Sequence, residues 1–142
     1  MDDWLDIVAE SLDSTAVISS VSHQRAGGVA VFLGVTRAEK RADGVELLAL
    51  DYEAYIDMAR EQLKDLAKRA REKWPMICRL AILHRTGRVA VEEPSVVIAV
   101  STPHRGDSFA ACEWLIDTLK KEVAVWKKEV WADGKMSWVD PK

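Results

Sequence analysis

Residues 95–129 read SVVIAVSTPHRGDSFAACEWLIDTLKKEVAVWKKE, and they contain the transition that decides the fold. Ser95 to Ser101 is an unbroken apolar, β-branched run, which predicts a strand covered on both faces. The segment from Thr102 to Asp107 interrupts that run. Asp107 or Ser108 can N-cap a helix, in which Phe109, Cys112, Ile116, Leu119 and Val123 recur at helical spacing. A buried strand that turns directly into an amphipathic helix requires a sheet with helices laid against it.

Working outward, the same vocabulary repeats. Trp4, Ile7, Val8 and Leu12 share a helical spacing, predicting a short amphipathic helix over 3–12 before a Ser/Thr-rich segment at 13–22. Gly27-Gly28 opens VAVFLGVTR, a strand ending at Arg37, and the charged loop AEKRADG comes next. VELLALDYE (45–53) is a second strand, entered through the Asp43-Gly44 turn. From Ile56 to Trp74, Ile56, Ala59, Leu63, Leu66, Ala70 and Trp74 form a 3.6-residue stripe with Lys and Arg opposite, and Pro75 ends that helix. Ile77 to His84 is a further strand, Thr86-Gly87 a turn, and EVWADGKMSWV a C-terminal hairpin around Asp133-Gly134. The expectation is a single α+β domain spanning 1–142, with a mixed sheet, two main helices and a C-terminal β-hairpin.

At 142 residues, 49% hydrophobic and 30% charged, the chain can bury a core without a metal or disulfide. Cys78 and Cys112 each sit in an apolar pattern and read as buried thiols, and no zinc-ligand spacing occurs. The start Met-Asp-Asp-Trp-Leu-Asp lacks the basic and apolar regions of a signal peptide, and no run reaches membrane-spanning length, so a cytoplasmic protein without a membrane partner is expected. A net charge of −3 argues against nucleic-acid binding, which calls for a basic balance. P-loop, Rossmann and Gly-x-Ser-x-Gly signatures are absent.

An anionic ligand would therefore need a local positive cluster, and LKKEVAVWKKE (119–129) supplies four lysines. If the helix continued through them, Lys120 and Lys127 would differ by only about 20° around the axis and lie roughly 10 Å apart. Lys121 has Asp117 four residues before it, whereas the residues four away from Lys120 are Ile116 and Ala124, and those from Lys127 are Val123 and Trp131. Two ammonium groups on one partly apolar surface make useful proton donors or nucleophiles. The alternative is a solvated face whose lysine stems cover Trp126.

Ser101 to Ser108 is a second constellation. A helix start there offers free N–H groups to an anion, Arg105 a planar fork and His104 a titratable ring; the alternative for His104 is a loop histidine bonded to backbone. Arg37, at the end of its strand, can present a guanidinium to a ligand. His84-Arg85 at another strand end reads as structural.

The set FLGVTR (32–37), LDYEAY (50–55), WP (74–75), ILHRTG (82–87), SVVIAVSTPHR (95–105), and IDTLK with the later WKKE (116–120, 126–129) resembles the large, catalytic subunit family of molybdopterin synthase. The resemblance runs from about Gly27 to Trp138, with residues 1–26 outside the clear match. It implies an α/β-hammerhead fold and an enzyme that moves sulfur onto cyclic pyranopterin monophosphate, forming the dithiolene of molybdopterin. It implies a small ubiquitin-like sulfur carrier ending in a Gly-Gly thiocarboxylate, a dimer of large subunits within a heterotetramer, and no metal or other cofactor. Carried over by motif, Lys120 and Lys127 are the catalytic positions. Val35, Thr36, Arg37, His104, Arg105, Lys120, Lys127, Lys128 and Glu129 are the substrate-binding positions, with Glu129 orienting one or both amines. Family members often have proline where Ala124 stands, so the helix can run further here; Asp107 is expected as its cap. The competing reading is a module that binds a phosphorylated ligand or a ubiquitin-like protein without chemistry.

Overall fold

The computed structural model describes residues 3–139, so the ends of the expected 1–142 domain lie outside the described residues. Its elements in chain order are β1 (Trp4–Val8), α1 (Ser14–Ser20), β2 (Gly28–Val35), β3 (Leu47–Ala54), α2 (Ile56–Lys73), β4 (Arg79–Arg85), β5 (Gly87–Ala90), β6 (Pro94–Thr102), α3 (Arg105–Glu122), β7 (Val125–Trp131) and β8 (Met136–Trp138).

The expected single mixed sheet is two four-stranded sheets, ordered β1-β4-β6-β2 and β5-β3-β7-β8. In the first, β1 runs parallel to β4 and the other pairs are antiparallel. The second is antiparallel throughout. The chain passes from one to the other between β4 and β5, where Gly87 takes a φ of +85° that a side chain would resist.

Strand β6 is buried from Ser95 to Thr102, as its apolar run predicts. Alternation divides its side chains between two cores. Val96, Ile98 and Val100 join Leu63, Leu66 and Ala70 of α2 and Ala111, Leu115 and Leu119 of α3 on one side. Val97 and Ala99 meet Val17 and Val21, contributed by and just after α1, on the other. Truncating Ile98, which is fully buried, to alanine would cost about 2–5 kcal/mol.

Residues 3–12 correct the sequence expectation: Trp4–Val8 is a strand and not part of a helix. Its spacing suits both periods, and long-range partners decide between them. β1 has a parallel neighbour in β4, and Asp3 anchors its start by accepting from Arg71 Nη2 at 2.6 Å and from the Leu80 amide at 3.1 Å. The helix comes later, as α1, with Asp13 capping it through the Ala16 amide.

The N-terminus of α3 also differs from expectation. The helix begins at Arg105, His104 is its extended N-cap residue, and Asp107 stands in the first turn instead of capping it. Ser108 is buried with its hydroxyl turned back to the Arg105 carbonyl at 2.9 Å. Of the two thiols, Cys112 is buried, its pKa pushed up to about 11 by that burial, whereas Cys78 is only half-buried.

Candidate functional site

The lysine stretch does not form one helix. α3 stops at Glu122, Val123 turns to an extended conformation, and β7 starts at Val125. No proline is needed for this break. Val123 is drawn into the core, the Ala124 amide donates to Gln62 Oε1 at 2.7 Å, and the Ala124 carbonyl accepts from the Tyr55 amide at 3.1 Å. Lys120 therefore sits exposed in the last turn of α3, where a cation complements the helix dipole, while Lys127 is a half-buried strand residue. The expected common helical face is replaced by a corner between a helix end and a strand.

Strand β7 pairs WKKE with LDYEAY on β3: Glu53 lies opposite Trp126, Tyr52 opposite Lys127, Asp51 opposite Lys128 and Leu50 opposite Glu129. Because strand side chains alternate, Lys127 and Lys128 leave β7 on opposite faces. Lys127 Nζ stands 5.9 Å from the centre of the Tyr52 ring. Lys128 Nζ stands 3.3 Å from Glu53 Oε2 and 4.6 Å from the Trp138 ring centre. Glu129 shares the face of Lys127, but its carboxylate accepts from Ser137 Oγ at 3.2 Å, a hydroxyl that itself accepts from Trp131 Nε1 at 3.1 Å. Glu129 is thus engaged with the C-terminal hairpin.

Below Lys127 is a polar seam of Tyr52 and the pair His84-Arg85, the latter read as structural in the sequence. Tyr52 meets His84 of β4 edge to face, with ring centres 5.0 Å apart. The His84 Nδ1–H donates to the Arg85 carbonyl at 2.9 Å. Burial, with the charge of Lys127 nearby, brings the His84 pKa down to about 4, so its ring is neutral near pH 7. Burial raises the Tyr52 hydroxyl, which also meets the Ser95 hydroxyl. Arg85 is largely enclosed beside them; its Nη1 approaches Glu93 Oε2 only to 3.6 Å, and its Nε and Nη1 have no hydrogen-bond partner.

His84 pairs with Val96, and Val96 with Gly34, so this seam leads across the first sheet to the end of β2. There Val35 is exposed, Thr36 is 2% exposed with its hydroxyl directed at the Val89 carbonyl, and Arg37 projects into solvent with Glu39 at 2.9 Å. Of the three expected binding positions at this strand end, Val35 and Arg37 offer side chains to a ligand, and Thr36 anchors the strand end.

His104 and Arg105 lie elsewhere. They line a cleft of about 500 Å³ with Gly27, Pro103, Gly106 and Phe109, at the beginning of β2. A Cβ on Gly28 would come within 3.2 Å of the Arg105 Cα, and one on Gly27 would fall on the Pro103 carbonyl oxygen, so glycine is what lets this loop close onto the strand. The run of α3 separates His104 from Lys120 by about 24 Å, and the run of β2 separates the Gly28 end from the Val35 end by about 23 Å. Within one chain the expected residues thus form a lysine corner adjoining the end of β2, and a distant His-Arg loop.

The chain matches known proteins in both sequence and structure. The family model described as "MoaE protein" matches residues 7–122. A curated relative from Culex quinquefasciatus, "Molybdopterin synthase catalytic subunit", is 42% identical over 131 residues, covering 92% of this chain and 82% of its own. The crystal structure of molybdopterin synthase from Staphylococcus aureus superposes with a TM-score of 0.90 at 35% identity, covering 99% of both chains. A complex of subunits 1 and 2 of molybdopterin-converting factor from Helicobacter pylori shares the fold at a TM-score of 0.78 and 18% identity, covering 97% of this chain and 91% of its own.

Proposed function

Since the chain belongs to the MoaE protein family of molybdopterin synthase catalytic subunits, we propose that it takes sulfur from the C-terminal thiocarboxylate of a small ubiquitin-like carrier and delivers it to cyclic pyranopterin monophosphate, with Lys120 and Lys127 as its catalytic residues. The observation that carries this reading is the corner between α3 and β7: Lys120 ends the helix and, past the break at Val123, Lys127 stands over the Tyr52 ring at the head of the polar seam. Both reactants are anions, and a compact positive corner can bind them in a chain whose net charge is −3.

Lys120, exposed at a helix end, is suited to the carrier's acyl carbon, where its ammonium stabilises negative charge as the carbon–sulfur bond breaks and can donate a proton. Lys127 adds positive potential and orients the pterin. Each carrier leaves with a carboxylate in place of its thiocarboxylate, the oxygen coming from water. Arg37, His104 and Arg105 provide forks and donors for the phosphate. Lys128 and Glu129, tied to Glu53 and Ser137, act as supports of the strand that carries Lys127.

Two copies of the chain are needed to unite these groups. β2 is an edge strand whose outward side chains, Val29, Val31, Leu33 and Val35, are 41–51% exposed and carry no charge, an unprotected edge unusual for a monomer. A two-fold contact centred on β2 runs the two strands antiparallel, so the His104–Arg105 end of one copy comes to the Val35–Arg37 end of the other. Among the described residues no helix is long and apolar enough to cross a membrane.

The test is to incubate the purified protein with cyclic pyranopterin monophosphate and thiocarboxylated carrier, and to monitor dithiolene product. Wild type forms product, Lys120→Ala abolishes it, and Lys127→Ala lowers it by orders of magnitude. Product unchanged by Lys120→Ala overturns the catalytic assignment. No product from wild type leaves the binding-module reading in its place.

A further inference from the structure

We propose that Tyr52 is the positioning residue for Lys127, holding the amine on the face of a ring that is itself clamped by Ser95 and His84; this rests on the sulfur-transfer reading above for its consequence, though not for the contact itself. Tyr52 and Lys127 are directly opposed on β3 and β7, with Nζ 5.9 Å from the ring centre. A cation within about 6 Å of an aromatic face is attracted by the ring quadrupole, more so where water is partly excluded.

The ring is fixed at both ends. Its edge-to-face partner His84 is 5% exposed, and the Ser95 hydroxyl that meets its phenol oxygen is equally buried. Ser95 is held in turn, its Oγ donating to the Gly34 carbonyl at 3.4 Å. His84 spends its Nδ1–H on the Arg85 carbonyl and stays uncharged near pH 7, so the imidazole packed against the ring adds no charge to repel Lys127. On the flank away from β7, Tyr52 is opposed by Gly87, which carries no side chain to displace the ring.

An aromatic face fixes an ammonium while leaving its charge and its N–H donors directed at other partners. Positioning by Tyr52 would thus preserve the positive potential that an anionic reactant requires. It also explains why LDYEAY is zipped against WKKE in this register, since a shift of one residue would move Lys127 to the outer face.

Two readouts on the full-length protein decide the matter. In protein labelled with 13C at the lysine ε-carbon, the Lys127 ε-methylene protons, assigned through Lys127→Arg, are expected at a ring-shifted upfield position. Tyr52→Leu moves them downfield and Tyr52→Phe does not. With carrier and pterin substrate present, Tyr52→Leu lowers kcat about tenfold while the KM for carrier holds, and Tyr52→Phe restores most of the loss. A Lys127 resonance indifferent to Tyr52→Leu overturns the proposal, as does a raised KM with unchanged kcat. If Tyr52→Leu does not fold, Ser95→Ala serves, loosening the ring and giving a smaller change in the same directions; no change in either readout there overturns the proposal. A resonance that responds in a wild-type background that makes no dithiolene supports the contact and overturns the sulfur-transfer reading alone.

Discussion

His104 precedes the first turn of α3 and Lys120 occupies its last, so one rigid helix holds the two groups about 24 Å apart. No side-chain motion closes that gap. If both serve one reaction, they do so from different copies of the chain, and the geometry makes this testable by mixing. Lys120→Ala and Arg105→Ala are each expected to be nearly inactive. Unfolded and refolded together in equal amounts, they should recover about a quarter of wild-type activity, because half the dimers are mixed and one of their two sites is intact. Rates that remain at the level of the separate variants would mean that Arg105 and Lys120 do not share a site across two copies.

The proposed contact between copies centres on β2, whose Leu33 projects from an uncharged edge strand. Leu33→Glu should therefore shift the protein from dimer to monomer in sedimentation. Its melting temperature at low concentration should change little, since the side chain is already 42% exposed in the single chain. A dimer that persists would move the interface away from β2.

These expectations also mark what was legible in the sequence. The two long helices are readable from their 3.6-residue apolar stripes, and β6 from an unbroken β-branched run too short for a helix. The stretch from Lys120 to Glu129 is decided by neither period. Lys120 and Lys127 are seven apart, as a helix would have them, VWKKEVW shows no clean alternation, and pairing with β3 makes it a strand. Trp4–Val8 has the same ambiguity, settled by its parallel neighbour β4 and by Asp3. The motif residues could be named one by one from the resemblance, but their grouping could not, since the run of α3 between His104 and Lys120 is a fact of three dimensions. His84 was passed over because its role depends on Tyr52, 32 residues earlier and in the other sheet.

The loop bearing His104 and Arg105 depends on Gly27, whose amide donates to the Thr102 carbonyl at 2.9 Å. In Gly27→Ala the new methyl would collide with the Pro103 carbonyl oxygen, which is backbone and cannot rotate away. The variant should lose about 1–3 kcal/mol in denaturant unfolding. Its affinity for the phosphorylated substrate should fall while binding of the carrier is retained, because the displaced groups belong to the phosphate side of the site. Isothermal titration with each partner separates the two.

Finally, His84 should impose a pH dependence on stability. Its pKa is about 4 in the folded chain, lowered chiefly by burial, against an ordinary value of 6.5. Between those values the unfolded chain binds more protons than the folded one, so stability rises with pH. The contribution is complete above pH 6.5 and is lost as pH falls from 6.5 towards 4, a change of roughly 3 kcal/mol at most. The lowered carboxylates of Asp51 and Glu122 titrate in the same direction but at more acid pH, since both are held below their ordinary values by Arg88 and Arg69. Urea unfolding of wild type and His84→Leu at pH 4.5 and pH 7 isolates the histidine. The variant is expected to lose most of the dependence between these pH values; identical slopes in the two proteins would mean that His84 is protonated at the lower pH, and repels Lys127, in the folded chain.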